Sequence, residues 1–127
     1  MKHNEISGII VDVALHVHRE LGPGLLETVY RKVLAHELRK RGLYAAEEVP
    51  IPVEWEGERL EIGFRADLIV ENLVVVEIKS VESVTPVFKK ILLTYLRLAD
   101  KRLGLLINFN EELLKNGITR IADRLEE

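Results

Sequence analysis

Apolar residues recur at helical spacing in three stretches of the chain. They mark one face from Ile6 to Leu21, a second from Leu26 to Leu38 and a third from Val87 to Ala99. Gly22-Pro23-Gly24 separates the first two stretches, because glycine and proline interrupt helices. Thr85-Pro86 gives the third stretch an N-cap residue followed by proline at the first helical position. The pattern therefore predicts three amphipathic helices.

Between the second and third helices the apolar period changes to two, which predicts strands. The three stretches are "EVPIPVEW" (48–55), "LEIGFRADLIV" (60–70) and "LVVVEIKSV" (73–81). After the third helix, "LGLLINF" (103–109) is almost wholly apolar, as expected for a strand buried on both faces. The order α-α-β-β-β-α-β predicts one α/β domain over residues 1–127, with a mixed four-stranded sheet flanked by helices. Residues 118–121 are expected to add a short strand or helix.

Composition narrows the class of protein. The 127 residues are 47% hydrophobic and 31% charged, which is typical of a soluble globular domain. A net charge of −3 gives no general basic surplus, so nucleic-acid binding would require a local basic patch. The absence of cysteine excludes disulfides and thiolate zinc sites and suits a reducing compartment. With no signal-peptide pattern and no apolar run of about 18 residues, we expect a cytoplasmic protein without a membrane partner.

The polar residues that interrupt two central strands are the candidates for chemistry. In "RADLIVENLVVVEIKS", alternation puts Glu77 and Lys79 on one face of their strand. A three-residue turn at 70–72, pairing Ile69 with Leu73, would bring Asp67 to the same face, one diagonal step from Glu77. The sequence therefore predicts that Asp67, Glu77 and Lys79 converge.

Two carboxylates at that distance suit a divalent cation such as Mg²⁺ or Mn²⁺. A bound cation would lower the pKa of a water molecule and stabilise charge on a phosphate, while Lys79 could position that water, act on its proton or neutralise charge. The same residues also allow a purely structural interpretation. In that case Lys79 forms a salt bridge with Glu77, or Arg65 forms one with Asp67.

An Asp followed by Glu-x-Lys across a strand hairpin, with helices on either side, resembles the PD-(D/E)XK nuclease superfamily. Gly24-x-x-Glu27-x-x-Tyr30, together with "FRADLIVEN", "VVVEIKSVE" and "LLTYLRLADKRLGLLINF", resembles the GxxExxY family within it. The resemblance extends from about residue 6 to residue 121. It implies a restriction-endonuclease-like core and a metal-dependent nuclease acting on DNA or RNA. It also implies catalytic roles for Asp67, Glu77 and Lys79, with the metal on the two acids, and places Glu27 in the same site.

One position departs from the family pattern. Related nucleases carry Gln-x-x-x-Tyr on the helix after Glu-x-Lys, whereas this chain has Ile91 and Tyr95. The loss of that amide supports an alternative, a catalytically inactive nuclease-fold module that binds nucleic acid or a protein partner. Glu27 also has a plain alternative, since an acid in the first turn of a helix complements the helix dipole. Tyr30 is interpreted as a core aromatic residue.

The third helix carries a candidate nucleic-acid contact. Lys90, Arg97 and Lys101 are predicted to lie on one stripe, where they could bind phosphates without reading sequence. The alternative is an ordinary solvated helix face. Separately, the segment 50–55 is expected at the edge of the sheet, where it could support a homodimer.

Overall fold

The computed structural model describes residues 1–127, apart from the side chain of Ile62. All three predicted helices form, and each strand begins within three residues of its predicted start. In chain order the elements are α1 (His3–Leu21), α2 (Glu27–Lys40), β1 (Ala45–Trp55), β2 (Glu58–Val70), β3 (Val74–Lys79), α3 (Pro86–Ala99), β4 (Leu103–Asn108), a 3-10 turn (Leu114–Gly117) and β5 (Ile118–Ala122). No helix within the described part of the chain combines the length and hydropathy needed to cross a membrane.

The strands form one mixed sheet in the order β1-β2-β3-β4-β5. Neighbouring strands are antiparallel except β3 and β4, which the α3 crossover makes parallel. The prediction of an α/β fold with a mixed sheet is confirmed, but the predicted number of four strands is wrong. The segment after β4 turns back and pairs with it from Leu103↔Ala122 to Ile107↔Ile118. This fifth strand supplies hydrogen bonds that β4, buried throughout, could not obtain from water.

The helices cover the two faces of the sheet separately. Helices α1 and α2 pack on one face, over a large cluster that includes Val74, Val76 and Ile78 of β3. Helix α3 packs on the other face, over a smaller cluster that includes Val75 of β3 and Leu92. Because side chains alternate along a strand, Glu77 and Lys79 point to the same side as Val75, the α3 side.

The turn between β2 and β3 fixes the register of the candidate site. A three-residue turn forms, as predicted, but it spans residues 71–73 instead of 70–72, so that Val70 pairs with Val74. Glu71 and Asn72 both take positive φ, 54° and 55°. Lys101 holds the turn, because its Nζ donates to the backbone and side-chain oxygens of Asn72 at 2.8 and 3.1 Å. The predicted pairing of Ile69 with Leu73 is therefore wrong by one residue in each strand.

The β1–β2 hairpin changes face halfway along its length. Ala45 packs in the cluster under α1 and α2, whereas Ile51, an even number of residues away, packs in the cluster under α3. A regular strand would keep both on one face. The change occurs around Glu48, whose φ is 49° and which lies opposite Asp67 in the register. The far half of the hairpin thus packs against α3 next to the candidate site.

Candidate active site

Asp67 and Glu77 hydrogen-bond to each other's strands. The backbone N–H of Asp67 donates to Glu77 Oε1 at 3.2 Å, and the N–H of Ile78 donates to Asp67 Oδ2 at 2.7 Å. The regular ladder between β2 and β3 ends one step earlier, at Leu68↔Val76. The two carboxylates therefore lie where the strands separate, directly opposite each other and not on the predicted diagonal. Each has one oxygen held by a backbone donor.

Burial dominates the electrostatics of this pair. Glu77 is only 7% exposed. Burial, and then the negative charge of Asp67, raise the pKa of its carboxyl to about 8. The backbone N–H of Asp67 and the ammonium of Lys79 oppose this rise without cancelling it. Without a cation, the carboxyl of Glu77 therefore keeps its proton at neutral pH, next to Asp67.

Lys79 lies on the same face, beneath α3. Its Nζ is 4.7 Å from the ring centroid of Phe88, close enough for a cation–π interaction. Ile91 follows Phe88 by one helical turn and is 38% exposed. The position where related nucleases carry an amide is therefore apolar and partly open to solvent.

Tyr95 lies one turn further along α3, close to the acidic pair. Its ring stacks on Phe64 of β2 with 3.5 Å between the centroids. Burial, and then the negative charges of Glu77 and Asp67, raise the pKa of Tyr95. The tyrosine of the Gln-x-x-x-Tyr pattern is thus present beside the carboxylates even though the glutamine is replaced.

Glu27 reaches the other end of the site. Its Oε1 accepts a hydrogen bond from the backbone N–H of Ser80 at 3.4 Å, and Ser80 directly follows Lys79. Helix α2 lies on the opposite face of the sheet from α3, so the exposed Glu27 approaches around the end of β3. The structure therefore brings Asp67, Glu77 and Lys79 together and places Glu27 beside the end of the same strand, outside the carboxylate pair.

Tyr30 explains the spacing of the Gly-x-x-Glu-x-x-Tyr stretch. It is fully buried and stacks on Phe109, with 4.5 Å between centroids. Its hydroxyl donates to the carbonyl of Gly22 at 2.6 Å and accepts from the N–H of Leu25 at 3.1 Å. Gly24 has a φ of +97°, which favours glycine. The core tyrosine predicted from the sequence therefore also holds the loop from which Glu27 emerges.

The donor set suits a hard divalent cation with few protein ligands. Among the described residues, no three His, Cys, Asp or Glu side chains lie close enough together to hold a metal ion. Mg²⁺ commonly binds one or two protein carboxylates while it retains water and binds substrate phosphate, and Asp67 and Glu77 provide two. A cation would also stabilise the ionised form of these two carboxyl groups, because its charge would oppose both the burial and the repulsion by Asp67 that raise the pKa of Glu77.

The predicted basic stripe is altered by the end of α3. Lys90 is exposed on the helix, and Arg97 is exposed with its Nε 3.8 Å from Asp123 Oδ1. Asp100 adopts the left-handed conformation with φ 54° and ends the helix, so that Lys101 lies beyond it. Because Lys101 binds the turn at Asn72, the prediction of three lysine and arginine residues on one helical stripe is wrong.

Comparison with known families identifies the fold. A family model described as PD-(D/E)XK nuclease superfamily matches residues 4–121. The chain belongs to the PD-(D/E)XK nuclease superfamily. Comparison with curated proteins and with solved structures gave no match. The superfamily resemblance seen in the sequence is confirmed.

Sequence reasoning overlooked two polar residues of the site. Ser80 contacts Glu27. Asn108 is fully buried at the end of β4, and its side-chain amide accepts from the N–H of Val81 and donates to the carbonyl of Val81. Asn108 pairs with Lys79 in the parallel register. The signal for Asn108 was present, because an amide inside the apolar stretch "LGLLINF" must find partners when it is buried.

Proposed function

We propose that this protein is a metal-dependent nuclease that hydrolyses phosphodiester bonds in DNA or RNA, with Mg²⁺ or Mn²⁺ held by Asp67 and Glu77. The observation that carries the proposal is the pair of opposed carboxylates on β2 and β3, each hydrogen-bonded to the backbone of the other strand, with Lys79 on the same face. A purely structural ion pair fits less well. Lys79 Nζ lies over the ring of Phe88, and although its charge acts on Glu77, these two described residues form no salt bridge within 4.0 Å.

The roles follow from the position of each group. Asp67 and Glu77 each have one oxygen fixed by a backbone N–H, which limits how the two carboxylates can turn. A divalent cation, when bound there, would supply charge to the phosphate and acidify the attacking water. Lys79 neutralises charge that develops on the phosphate or orients the water, since its ammonium lies on the same side. Glu27 accepts a hydrogen bond from water at the end of β3 and acts as an auxiliary positioning group.

The test is cleavage of single- and double-stranded DNA and RNA in the presence of Mg²⁺ or Mn²⁺. We expect the wild-type protein to cleave at least one of these substrates and Asp67→Ala to lose activity by at least about 100-fold, the scale of losing a group that acts on the transition state. Glu112→Ala, which removes an exposed carboxylate elsewhere, is the matched control and should retain full activity. Equal cleavage by wild type and Asp67→Ala would reject the site.

A second candidate function is supported by Ile91. The apolar side chain stands where related nucleases have an amide, and it is partly exposed beside Phe88. A nuclease-fold module that binds nucleic acid or a protein partner without cleaving would tolerate this change. Ile91→Gln separates the two functions. A gain in cleavage of several-fold would support the enzyme, whereas binding without cleavage in both proteins would support the module.

Nucleic acid is the proposed partner, and Lys90 and Arg97 are the proposed phosphate contacts. Both are exposed on α3, the helix that covers the candidate site. Lys90→Glu combined with Arg97→Glu should weaken DNA binding at low salt by at least about tenfold and flatten its salt dependence. Lys115→Glu, which reverses one exposed charge on the 3-10 turn, is the control; it changes the net charge half as much and should weaken binding by much less than half as much in free energy.

Three finer assignments belong with this proposal. Gly24, Glu27 and Tyr30 support membership of the GxxExxY family, because each has a distinct structural task in the α2 loop. A cytoplasmic location is proposed from the absence of cysteine. We also propose a homodimer through the edge strand β1. Pro50 and Pro52 lack an N–H, so pairing between two copies would have to use the other backbone donors of this strand. Sedimentation at micromolar concentration tests it.

A further inference from the structure

Ser80 lies between two fixed points of the backbone. On one side, the carbonyl of Lys79 accepts a hydrogen bond from the N–H of Phe109 at 2.9 Å, the last bond between β3 and β4. On the other side, Asn108 clamps Val81: its Oδ1 accepts from the Val81 N–H at 3.1 Å, and its Nδ2 donates to the Val81 carbonyl at 2.9 Å. Since both neighbours are held by the end of β4, the position and direction of the Ser80 Cα–Cβ bond are fixed.

That direction is toward the amino-terminal end of α2. Ser80 Oγ donates to the carbonyl of Leu25 at 2.7 Å, and Ser80 N donates to Glu27 Oε1 at 3.4 Å. The N-cap residue of α2 is Leu26, which makes no side-chain cap hydrogen bond. Ser80 contacts this end of the helix from outside it, once at the residue before the N-cap and once at the side chain of the first helical residue.

We propose that Ser80 is a positioning residue that docks the first turn of α2, and with it Glu27, against the end of β3 beside Lys79. The inference about catalysis rests on the proposed nuclease function, because it assumes that Glu27 acts there. The physical reason is conformational. Glu27 is exposed and its side chain has several rotatable bonds. By holding the Leu25 carbonyl, the Ser80 hydroxyl keeps the start of α2 where the Ser80 N–H can reach the Glu27 carboxylate and limit the positions that it occupies.

Hydrogen exchange tests the docking directly and requires no activity. The variants are Ser80→Ala, which removes the hydroxyl, Ser80→Thr, which keeps it, and Ser83→Ala, which removes an exposed hydroxyl from the same loop. The N–H groups of Val29 and Tyr30, which donate to the Leu26 carbonyl, report on the first turn of α2. We expect them to exchange roughly fivefold faster in Ser80→Ala, the effect of losing one hydrogen bond worth about 1 kcal/mol, and at wild-type rates in the other two variants. Unchanged exchange in Ser80→Ala would overturn the docking role.

A double-mutant cycle with Glu27→Gln tests whether the docking acts through Glu27. We expect kcat for nucleic-acid cleavage to fall roughly fivefold in Ser80→Ala with little change in KM, and to recover in Ser80→Thr. In the Glu27→Gln background the same Ser80→Ala change should have no further effect. Equal losses in both backgrounds would overturn the link to Glu27. If the wild-type protein cleaves none of the substrates, the nuclease proposal fails, and the exchange rates still decide the docking role.

Discussion

Replacing Glu77 with glutamine should change how stability depends on pH. In the folded protein the pKa of Glu77 is raised from its usual 4.5 to about 8, first by burial and then by the charge of Asp67. A raised pKa means that the folded state binds the proton more tightly than the unfolded chain. The carboxyl therefore costs no stability below pH 4.5, costs progressively more as the pH rises from 4.5 to about 8, and adds nothing further above that.

The pKa difference sets an upper limit on the size of this effect. From 4.5 to about 8 is 3.5 pKa units, which at about 1.4 kcal/mol per unit corresponds to about 5 kcal/mol of unfolding free energy. Relaxation around the ionised carboxylate will reduce this. A loss of roughly 2 kcal/mol or more between pH 5 and pH 8.5 is therefore expected in the wild-type protein from this group alone. Glu77→Gln has nearly the same shape and does not titrate, so it should lack this loss.

Urea denaturation of the metal-free protein with a chelator, at pH 5 and pH 8.5, measures the effect. Carboxylates far from the site do not sense the substitution, so the difference between wild type and Glu77→Gln reports on Glu77 together with its interaction with Asp67. Glu112→Gln, at an exposed position, is the control and should follow the wild type at both pH values. A difference between wild type and Glu77→Gln that stays constant from pH 5 to pH 8.5 would refute the reasoning.

The same experiment reports on the fit of a cation. At pH 8.5 Mg²⁺ should stabilise the wild-type protein, because it relieves the repulsion between Glu77 and Asp67, by about 2.7 kcal/mol at a concentration 100 times its Kd. Glu77→Gln should gain much less, since one of the two carboxylate ligands is gone. Equal stabilisation of both proteins would place the ion elsewhere.

Two further changes test the framework around the site. Tyr30→Phe removes the hydroxyl bonds to Gly22 and Leu25 and should lower the free energy of unfolding by about 1–2 kcal/mol in urea denaturation; an unchanged midpoint would show that the loop does not depend on them. Gly117→Ala should destabilise by about 1–3 kcal/mol, because its Cβ would lie 2.6 Å from the Asn108 carbonyl oxygen. An alanine variant as stable as wild type would mean that this backbone contact relaxes freely.

The local pattern of apolar and polar residues was sufficient to predict most of the helices and strands and to single out Asp67 and Glu77. Helical and strand periodicities are properties of neighbouring residues, so α1, α2, α3 and the first four strands could be predicted within a few residues. Asp67, Glu77 and Lys79 stood out because charged residues inside apolar strands are costly unless they have a partner or a ligand. Proline after Thr85 also fixed the start of α3, although the threonine makes no side-chain cap bond.

The relative positions of these residues were decided by tertiary structure. The β2–β3 register differs from the predicted one by one residue in each strand, and the turn at 71–73 is held by Lys101, which is distant in sequence and binds Asn72. Because it makes this contact beyond the end of α3, Lys101 does not lie on the predicted basic stripe with Lys90 and Arg97. Register depends on contacts across the fold as well as on the turn residues, so the sequence could predict convergence of Asp67 and Glu77 but not their direct opposition.

The stretch from Leu21 to Tyr30 shows the same division. Its glycines and proline determined by themselves that the chain breaks between α1 and α2. That Tyr30 binds Gly22 and Leu25, and that Glu27 meets Ser80 at the end of β3, follows only when α2 packs on the sheet. Hydrophobic spacing specifies which face of a helix is buried. The hydrogen bonds at the end of the helix depend on residues more than 50 positions away in the sequence, which only the tertiary structure brings close.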